Sequence, residues 1–471
     1  MKFFICKDDS KFGIHDYEQY GEWYWYSDDQ VKVYENTNYI ILYCGYLIEG
    51  DMFEACRNLS FNEENGNFFA VKLTPDGEYE IFLDYFNNHK VFWAEKYGIE
   101  ISNWLPFMTC NQSDIVRDAL NYDYLARELT SEENTTFFGH INSYVPPYNY
   151  MLDAKQAWET EKWDPTKTDC LAEYIHECMT GHAKIIKRLY SKRFISLSEG
   201  IDSLLQSLHF REDTQYGYHV EPSDAGEDAL KWKQIQWNRF PKVETYDFIV
   251  DKSEEYVNNY MVDSTSRWAS ILPTMVQVAE AKPDIVMYGV NGDEMFFRDL
   301  TPHLHAITLK NLEKCETVEE LIDALKEDVA SKVGMYGCKY SVGDDDCADQ
   351  WVDIYVNAWL RSMPGWRNQQ AMKNEMFRLM TPKYYTRSIS ANNDVMCASL
   401  YNDRRIYHEV LKSKQDFLLN EAMDTPIQRM LVEKFDIEFD TPHKDVLSAD
   451  YDPLFSHIFE GTVTHCLEDN I

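Results

Sequence analysis

Two patterns of hydrophobic and polar positions divide this chain of 471 residues. Up to about residue 110, short apolar runs bounded by turn residues are typical of buried strands. One run covers residues 39–48, and a second, over 68–73, leads through Thr-Pro-Asp-Gly at 74–77 into a third over 79–84. Two strands on either side of so short a turn predict a hairpin. Helices are predicted near residues 51–58 and 113–128.

After this region the periodicity changes. Prolines at 146, 147 and 165 predict that residues 142–165 end the first domain and form a linker. From Leu171 onward, bulky apolar residues recur on one face of an amphipathic helix. Short apolar runs then alternate with helical stretches, which predicts a doubly wound α/β sheet. Its strands are predicted at 194–197, 216–220, 246–250 and 284–288, with a helix at 201–208 and a mainly helical part from about residue 317.

Composition narrows the class of protein. The net charge is −35, from 45 Lys and Arg against 80 Asp and Glu, while 44% of the residues are hydrophobic. So large an apolar fraction excludes an acidic disordered chain, and the absence of a basic run argues against a nucleic-acid partner or an anionic membrane surface. The same charge would repel ATP, so a nucleotide site would need local lysine, backbone N–H groups and Mg²⁺.

The sequence also bears on the cellular compartment. No apolar run approaches the length of a membrane span, and the first residues turn acidic too early for a signal peptide. The eleven cysteines form no Cys-x-x-Cys pair, which indicates neither a disulfide framework nor a zinc ribbon. We expect a soluble, cytoplasmic protein with reduced thiols. The oligomeric state is left open.

The first candidate motif is Ser-Glu-Gly-Ile-Asp-Ser at 198–203, directly after the predicted strand 194–197. A strand, a small polar turn and a helix present backbone N–H groups to a phosphate, and Gly200 would let the backbone approach the ligand closely. Asp202 could hold Mg²⁺, which prefers oxygen ligands. The Gly-Lys-Ser/Thr ending of a Walker A loop is missing, and an ordinary turn with a serine cap is the alternative.

The second candidate motif is Gly-Val-Asn-Gly-Asp-Glu at 289–294, after the predicted strand 284–288. Ligands of open α/β sheets bind at the carboxyl edge of the strands, where both motifs would lie. Asp202 and Asp293 could therefore converge on one Mg²⁺ bound to pyrophosphate. The alternative is a helix start with acidic residues that the helix dipole favours.

Both motifs resemble those of the asparagine synthetase family. Residues 198–203 resemble its pyrophosphate loop, S-G-G-x-D-S, and residues 289–294 resemble its G-x-G-x-D-E motif. Weaker similarity covers most of the remaining chain, with the family's glutaminase domain at 66–70, 83–84 and 138–147, and with its carboxyl-terminal part at Gln428, Arg429 and 442–445.

The resemblance implies a fold of two domains. Residues 1–160 would form an α+β sandwich of the N-terminal-nucleophile type, a degenerate version of a glutamine amidotransferase domain. Residues 166–471 would form an α/β synthetase domain of the adenine-nucleotide alpha-hydrolase-like (PP-loop) class with a helical carboxyl-terminal part.

The resemblance also implies a reaction. It is the ATP-dependent, AMP-forming activation of a carboxylate on a small molecule or peptide, followed by amide formation with an amine. The residues it implicates are Ser198, Gly200, Asp202, Ser203 and Gly289 for ATP and pyrophosphate, Asp202 and Asp293 for Mg²⁺, and Lys444 as the catalytic residue that neutralises charge on the phosphates and the acyl oxygen.

Four departures from the family pattern matter. Position 2 holds Lys2 where the family has its glutaminase cysteine, so we expect no glutamine hydrolysis, as in β-lactam synthetases and lasso-peptide cyclases. Cys6 cannot substitute, because the mechanism needs the α-amino group beside the thiol. Glu199 replaces a glycine beside the pyrophosphate, Val290 replaces a side chain used near the acyl acceptor, and residues 396–403 keep only the last Asp of E-x-R-x-P-F-L-D.

Two other functions remain open at this stage: an ammonia-dependent asparagine synthetase and a nucleotide-binding pseudoenzyme. The identities of the carboxylate and the amine, and whether both belong to one molecule, are open as well. A metal site at Cys178 and His182, which lie four residues apart, is disfavoured because His182 falls on the apolar face of its helix. That position predicts a packed core histidine.

Overall fold

The computed structural model describes residues 1–12, 16–61, 64–86, 88–89, 91–104, 107–108, 141–143, 168–197, 200–211, 216–218, 272–289, 292–296, 317, 320, 323, 395–412 and 426–437. The predicted helix at 113–128, the predicted strand at 246–250 and the predicted domain boundary between residues 160 and 166 lie outside these residues.

The amino-terminal part consists mainly of antiparallel strands. They are β1 (Phe3–Cys6), β2 (Glu18–Tyr20), β3 (Trp23–Ser27), β4 (Lys32–Glu35), β5 (Ile40–Leu47), β6 (Gly66–Leu73), β7 (Tyr79–Leu83), β8 (Phe92–Ala94), β9 (Glu100–Ser102) and β10 (Ile141–Ser143). A 3-10 helix covers Asp9–Phe12, and helix α1 covers Met52–Asn58. The strands form one sheet in the order β10-β8-β9-β1-β3-β2 and another in the order β4-β5-β6-β7.

The two antiparallel sheets share a hydrophobic core. Phe3 of β1 packs on Phe69 of β6 with ring centroids 5.1 Å apart. Strand β5 is apolar at almost every position because both its faces are covered. Ile40 and Leu42 face this core, whereas Ile41 packs with helix α1 on the opposite side. The continuous apolar run in the sequence thus reflects burial on two sides.

Two local predictions for the described residues of this part are confirmed. Strands β6 and β7 form the predicted hairpin with antiparallel pairing. Helix α1 begins after Asp51, whose carboxylate accepts hydrogen bonds from the backbone of Phe53 and Glu54. Residues 142–143, which begin the range predicted to end the first domain and form a linker, belong to strand β10 (Ile141–Ser143), which pairs with β8.

The second part contains a parallel sheet with helices between its strands. Its elements are α2 (Thr168–Leu189), β11 (Arg193–Leu197), α3 (Ile201–Leu208), β12 (Tyr216–Tyr218), α4 (Leu272–Ala281), β13 (Ile285–Met287), α5 (Gly292–Met295), β14 (Met396–Ala398), α6 (Arg404–Lys412) and α7 (Pro426–Glu433). The strand order is β12-β11-β13-β14, and all three pairings are parallel. The predicted alternation of strands and helices is confirmed in these elements.

Strand β14 was not predicted, and it lies in the part of the chain expected to be mainly helical, which also contains α6 and α7. Its three residues, Met396, Cys397 and Ala398, are all buried, and they pair with β13. None of the three is β-branched or aromatic, so the sequence carried no strand preference there. In the described part of the chain, no helix has both the length and the apolar character that a membrane span requires.

Candidate functional site

The first candidate motif begins where β11 ends. Gly200 is the N-cap of helix α3, with φ −66° and ψ 145°, and it contributes no side-chain cap. The first turn of a helix presents N–H groups that have no carbonyl partner inside the helix, which suits an anion. The predicted contact Ser198 and the departing residue Glu199 lie outside the described residues. The strand and the helix on either side of residues 198–199 thus follow each other in the predicted order.

The second motif lies directly against the first. Strands β11 and β13 are neighbours, so their carboxyl ends lie side by side. A Cβ atom on Gly289 would lie 2.6 Å from the Cα of Ser203, and one on Gly292 would overlap the carboxylate of Asp202. Gly289 therefore packs against the main chain of α3 and requires glycine, whereas a side chain at Gly292 would displace the carboxylate of Asp202. The structure confirms that the two motifs meet at one edge of the sheet.

The side chains of the first motif have specific surroundings. Asp202 is half-buried, and its carboxylate lies beside the backbone of Gly292, one residue before Asp293. The hydroxyl of Ser203 donates to the carbonyl of Gly200 at 3.0 Å, so it would have to rotate to reach a phosphate. The backbone of Asp293 belongs to α5, while its side chain is outside the described atoms.

A third segment, residues 399–403 between β14 and α6, contacts helix α3 next to the two motifs. The Tyr401 hydroxyl donates to the main-chain carbonyl of Asp202 at 2.9 Å. The backbone N–H of Leu400 donates to Oε1 of Gln206 in α3 at 3.0 Å. The Tyr401 ring also meets Phe296 edge-on, with centroids 6.0 Å apart. Tyr401 was not among the predicted site residues, although the family pattern ending at Asp403 pointed to its segment.

Asp403, the one residue of that pattern that the chain keeps, is a fully buried carboxylate. Arg405 donates to it through Nε at 3.0 Å and through a terminal nitrogen at 2.6 Å, and Asn65 donates at 2.9 Å. Burial alone would raise the pKa of Asp403, but the hydrogen bonds from Arg405 and the nearby positive charge hold it below its ordinary value. Arg405 also reaches Glu49 at 3.0 Å.

The predicted core role of His182 is confirmed. The side chain is 1% exposed, and its Nε2 lies 2.7 Å from the hydroxyl of Tyr46 in β5. Burial lowers the pKa of His182 to about 4 and raises the pKa of Cys178 to about 11. Within the described part of the chain, no three His, Cys, Asp or Glu side chains come together as a metal site.

The amino terminus bears on the glutaminase prediction. The Lys2 ammonium lies 3.8 Å from the centroid of the Trp104 ring. Cys6 is buried in β1, and its thiol donates to the carbonyl of Asp8 at 3.1 Å. Burial raises the pKa of Cys6 to about 11, which keeps the thiol protonated and unreactive near neutral pH.

No protein-family model matches the chain, and no curated protein sequence matches it.

The predicted catalytic Lys444 lies outside the described residues, whereas Arg429, fifteen residues before it, is half-buried in α7. Any functional proposal therefore depends on the motifs and on the geometry of the sheet edge.

Proposed function

We propose that this chain is an ATP-dependent, AMP-forming amide ligase of the asparagine synthetase type, without glutaminase activity. The observation that carries the proposal is the packing of Asp202 and Ser203 against Gly292 and Gly289 at the carboxyl edge of a parallel sheet. Separated by some ninety residues in the sequence, the two motifs meet where ligands of such sheets bind.

The chemistry follows from the residues at this edge. The helix start at Gly200, together with Ser198 and Ser203, would hold the pyrophosphate portion of ATP, and Gly289 would border it. The carboxylate of Asp202 would provide an oxygen ligand of the kind that Mg²⁺ prefers. It lies against Gly292, and Asp293, the second proposed ligand, is the next residue in the chain. Bound Mg²⁺ would supply positive charge to the leaving pyrophosphate. Lys444 would add positive charge in the transition state.

The proposed reaction has two steps. A carboxylate oxygen of the substrate attacks the α-phosphorus, and the bond to the bridging oxygen of pyrophosphate breaks. The amine nitrogen of the second substrate then attacks the acyl carbon, AMP leaves with the bonding electrons, and the nitrogen loses a proton. Neither step requires a nucleophilic cysteine, which is consistent with Lys2 at the second position and with the buried thiol of Cys6.

We also propose a cytoplasmic location. The six cysteines in the described residues are all free thiols, and five of them are buried. A reducing compartment would preserve them in this form.

Pyrophosphate release tests the proposal. The full chain would be incubated with Mg²⁺ and ATP against amino acids, amines and modified peptides, and products would be identified by mass spectrometry. We expect AMP, pyrophosphate and an amide in stoichiometric amounts, with no glutamate released from glutamine. The Asp202→Asn variant should lose pyrophosphate release, whereas Glu18→Gln, which removes an exposed carboxylate on β2, should keep it.

Other outcomes would replace the proposal. Asparagine from aspartate and ammonium would identify an ammonia-dependent asparagine synthetase. Binding of Mg²⁺-ATP with no pyrophosphate release from any carboxylate would identify a nucleotide-binding pseudoenzyme. Absence of nucleotide binding would refute the assignment of the sheet edge as a nucleotide site.

A further inference from the structure

We propose that the amino-terminal part of the chain that carries strands β1 to β10, here called the β domain, positions helix α3 through the segment 399–403, and that Tyr401 is the positioning residue. What the positioned helix binds rests on the proposed function. The coupling itself rests on two hydrogen bonds of adjacent residues: a buried one joins Asn402 to Asn88 of the β domain, and a part-buried one joins Tyr401 to the main chain of Asp202.

On one side of the segment, buried asparagines of the β domain hold its backbone and side chains. Asn65 donates to the carboxylate of Asp403 at 2.9 Å and accepts from the N–H of Arg404 at 3.0 Å. Asn88 accepts from the amide of Asn402 at 2.5 Å. In strand β14, just before the segment, the carbonyl of Cys397 accepts a hydrogen bond from the side-chain amide of Asn67 at 2.8 Å.

Residues within the β domain orient the amides of Asn88 and Asn67. Asp84, which is fully buried, accepts from the side-chain amide of Asn88 at 2.8 Å and also from its N–H. His89 lies 2.6 Å from the side-chain oxygen of Asn67. In each of the three asparagines, both the side-chain oxygen and the side-chain nitrogen thus have a hydrogen-bond partner. A buried polar group that loses its partner destabilises the folded state, so this network favours one arrangement of the segment.

On the other side, the segment holds the first half of α3. The Tyr401 hydroxyl donates to the carbonyl of Asp202 in the first turn, and the Leu400 N–H donates to Gln206 one turn later. Asn402, which bonds to the β domain, is the neighbour of Tyr401 in the chain. Movement of the β domain would therefore move the residue that contacts Asp202.

This arrangement gives the β domain a role that needs no nucleophile at position 2. An apolar contact would tolerate small displacements, whereas the hydrogen bonds of Asn65 and Asn88 fix direction as well as distance. The β domain would act as a rigid support for the helix start beside which Gly292 packs.

Hydrogen exchange on the full chain tests the coupling without any ligand. Tyr401→Phe removes one hydroxyl, and Asn402→Ala removes the amide that bonds to Asn88. In both variants, amides in a peptide covering 201–208 should exchange about five- to tenfold faster, as expected for the loss of one hydrogen bond. The matched control is Tyr39→Phe, which removes a hydroxyl that donates to the carbonyls of Cys56 and Arg57 at 3.1 Å within the β domain.

Nucleotide binding provides the second measurement, with a non-hydrolysable Mg²⁺-ATP analogue as the probe. Tyr401→Phe should weaken binding about five- to tenfold and raise the Mg²⁺ concentration required, while Tyr39→Phe should leave both unchanged even where it lowers the unfolding midpoint. Wild-type exchange at 201–208 in both Tyr401→Phe and Asn402→Ala would overturn the inference. If the wild-type chain binds no nucleotide but the exchange effects appear, the positioning of α3 stands and only the proposed function fails.

Discussion

Acid should destabilise this protein because two histidines are buried as neutral imidazoles. His182 joins α2 to Tyr46 of the β domain, and burial lowers its pKa from 6.5 to about 4. The charge of Asp403 opposes this shift, and that of Arg405 adds to it. His209, at the end of α3, has its pKa lowered to about 3 by burial, with a smaller effect from His176.

The sign of the effect follows from these pKa values. Below about pH 6.5 the unfolded chain binds protons at both positions while the folded chain does not, so stability falls as the pH falls. At pH 5, which lies above both folded-state values, each histidine should cost about 2 kcal/mol relative to pH 7. Because both folded-state pKa values lie below pH 5, the size of this loss depends almost entirely on the ordinary pKa that histidine has in the unfolded chain. Together the two should cost about 4 kcal/mol, a large part of the stability of a typical domain.

Urea unfolding at pH 7 and pH 5 measures the effect. His182→Gln removes the titrating group and retains an amide where Nε2 faces Tyr46. This variant should lose about 2 kcal/mol less than the wild type between the two pH values, since other groups titrate equally in both proteins. Tyr46→Phe keeps the histidine and should keep the full pH dependence. Equal losses in the wild type and His182→Gln, or a titration of His182 by NMR near its ordinary pKa, would refute the reasoning.

Three further predictions concern the candidate site and its support. Asp202→Asn and Asp293→Asn should each abolish Mg²⁺-dependent pyrophosphate formation without changing the unfolding midpoint, because each removes an anionic oxygen ligand; near-normal turnover would contradict the metal assignment. Lys444→Ala should lower the rate of pyrophosphate release by about 10² or more while nucleotide affinity changes far less, as single-turnover kinetics and calorimetry would show. Asp403→Ala should lower the free energy of unfolding by about 3 kcal/mol in urea titrations, because it leaves Arg405 without its buried partner; a loss below 1 kcal/mol would contradict this ion-pair role.

The sequence by itself determined the local elements with strong periodicity. The run around β5, the hairpin of β6 and β7, helix α2 and the strand before α3 could all be predicted, because burial imposes a period on each of them. It also determined that the two motifs would lie at one sheet edge, since both follow buried strands of a parallel sheet. The sequence showed that residues 289 and 292 are glycines, as in the family motif, but it did not show why. The reason is that these two positions lie against Ser203 and Asp202 of α3.

Only the tertiary structure decided which distant residues support the candidate site. Tyr401 lies 199 positions after Asp202, and Asn402 lies 314 positions after Asn88, so no local pattern could pair them. Strand β14 could not be predicted from the sequence either. Its three residues have no β preference, and they form a strand because β13 lies beside them. Hydrogen bonds between buried polar groups depend on the meeting of separate elements, and a sequence period records burial but not the partner that covers it.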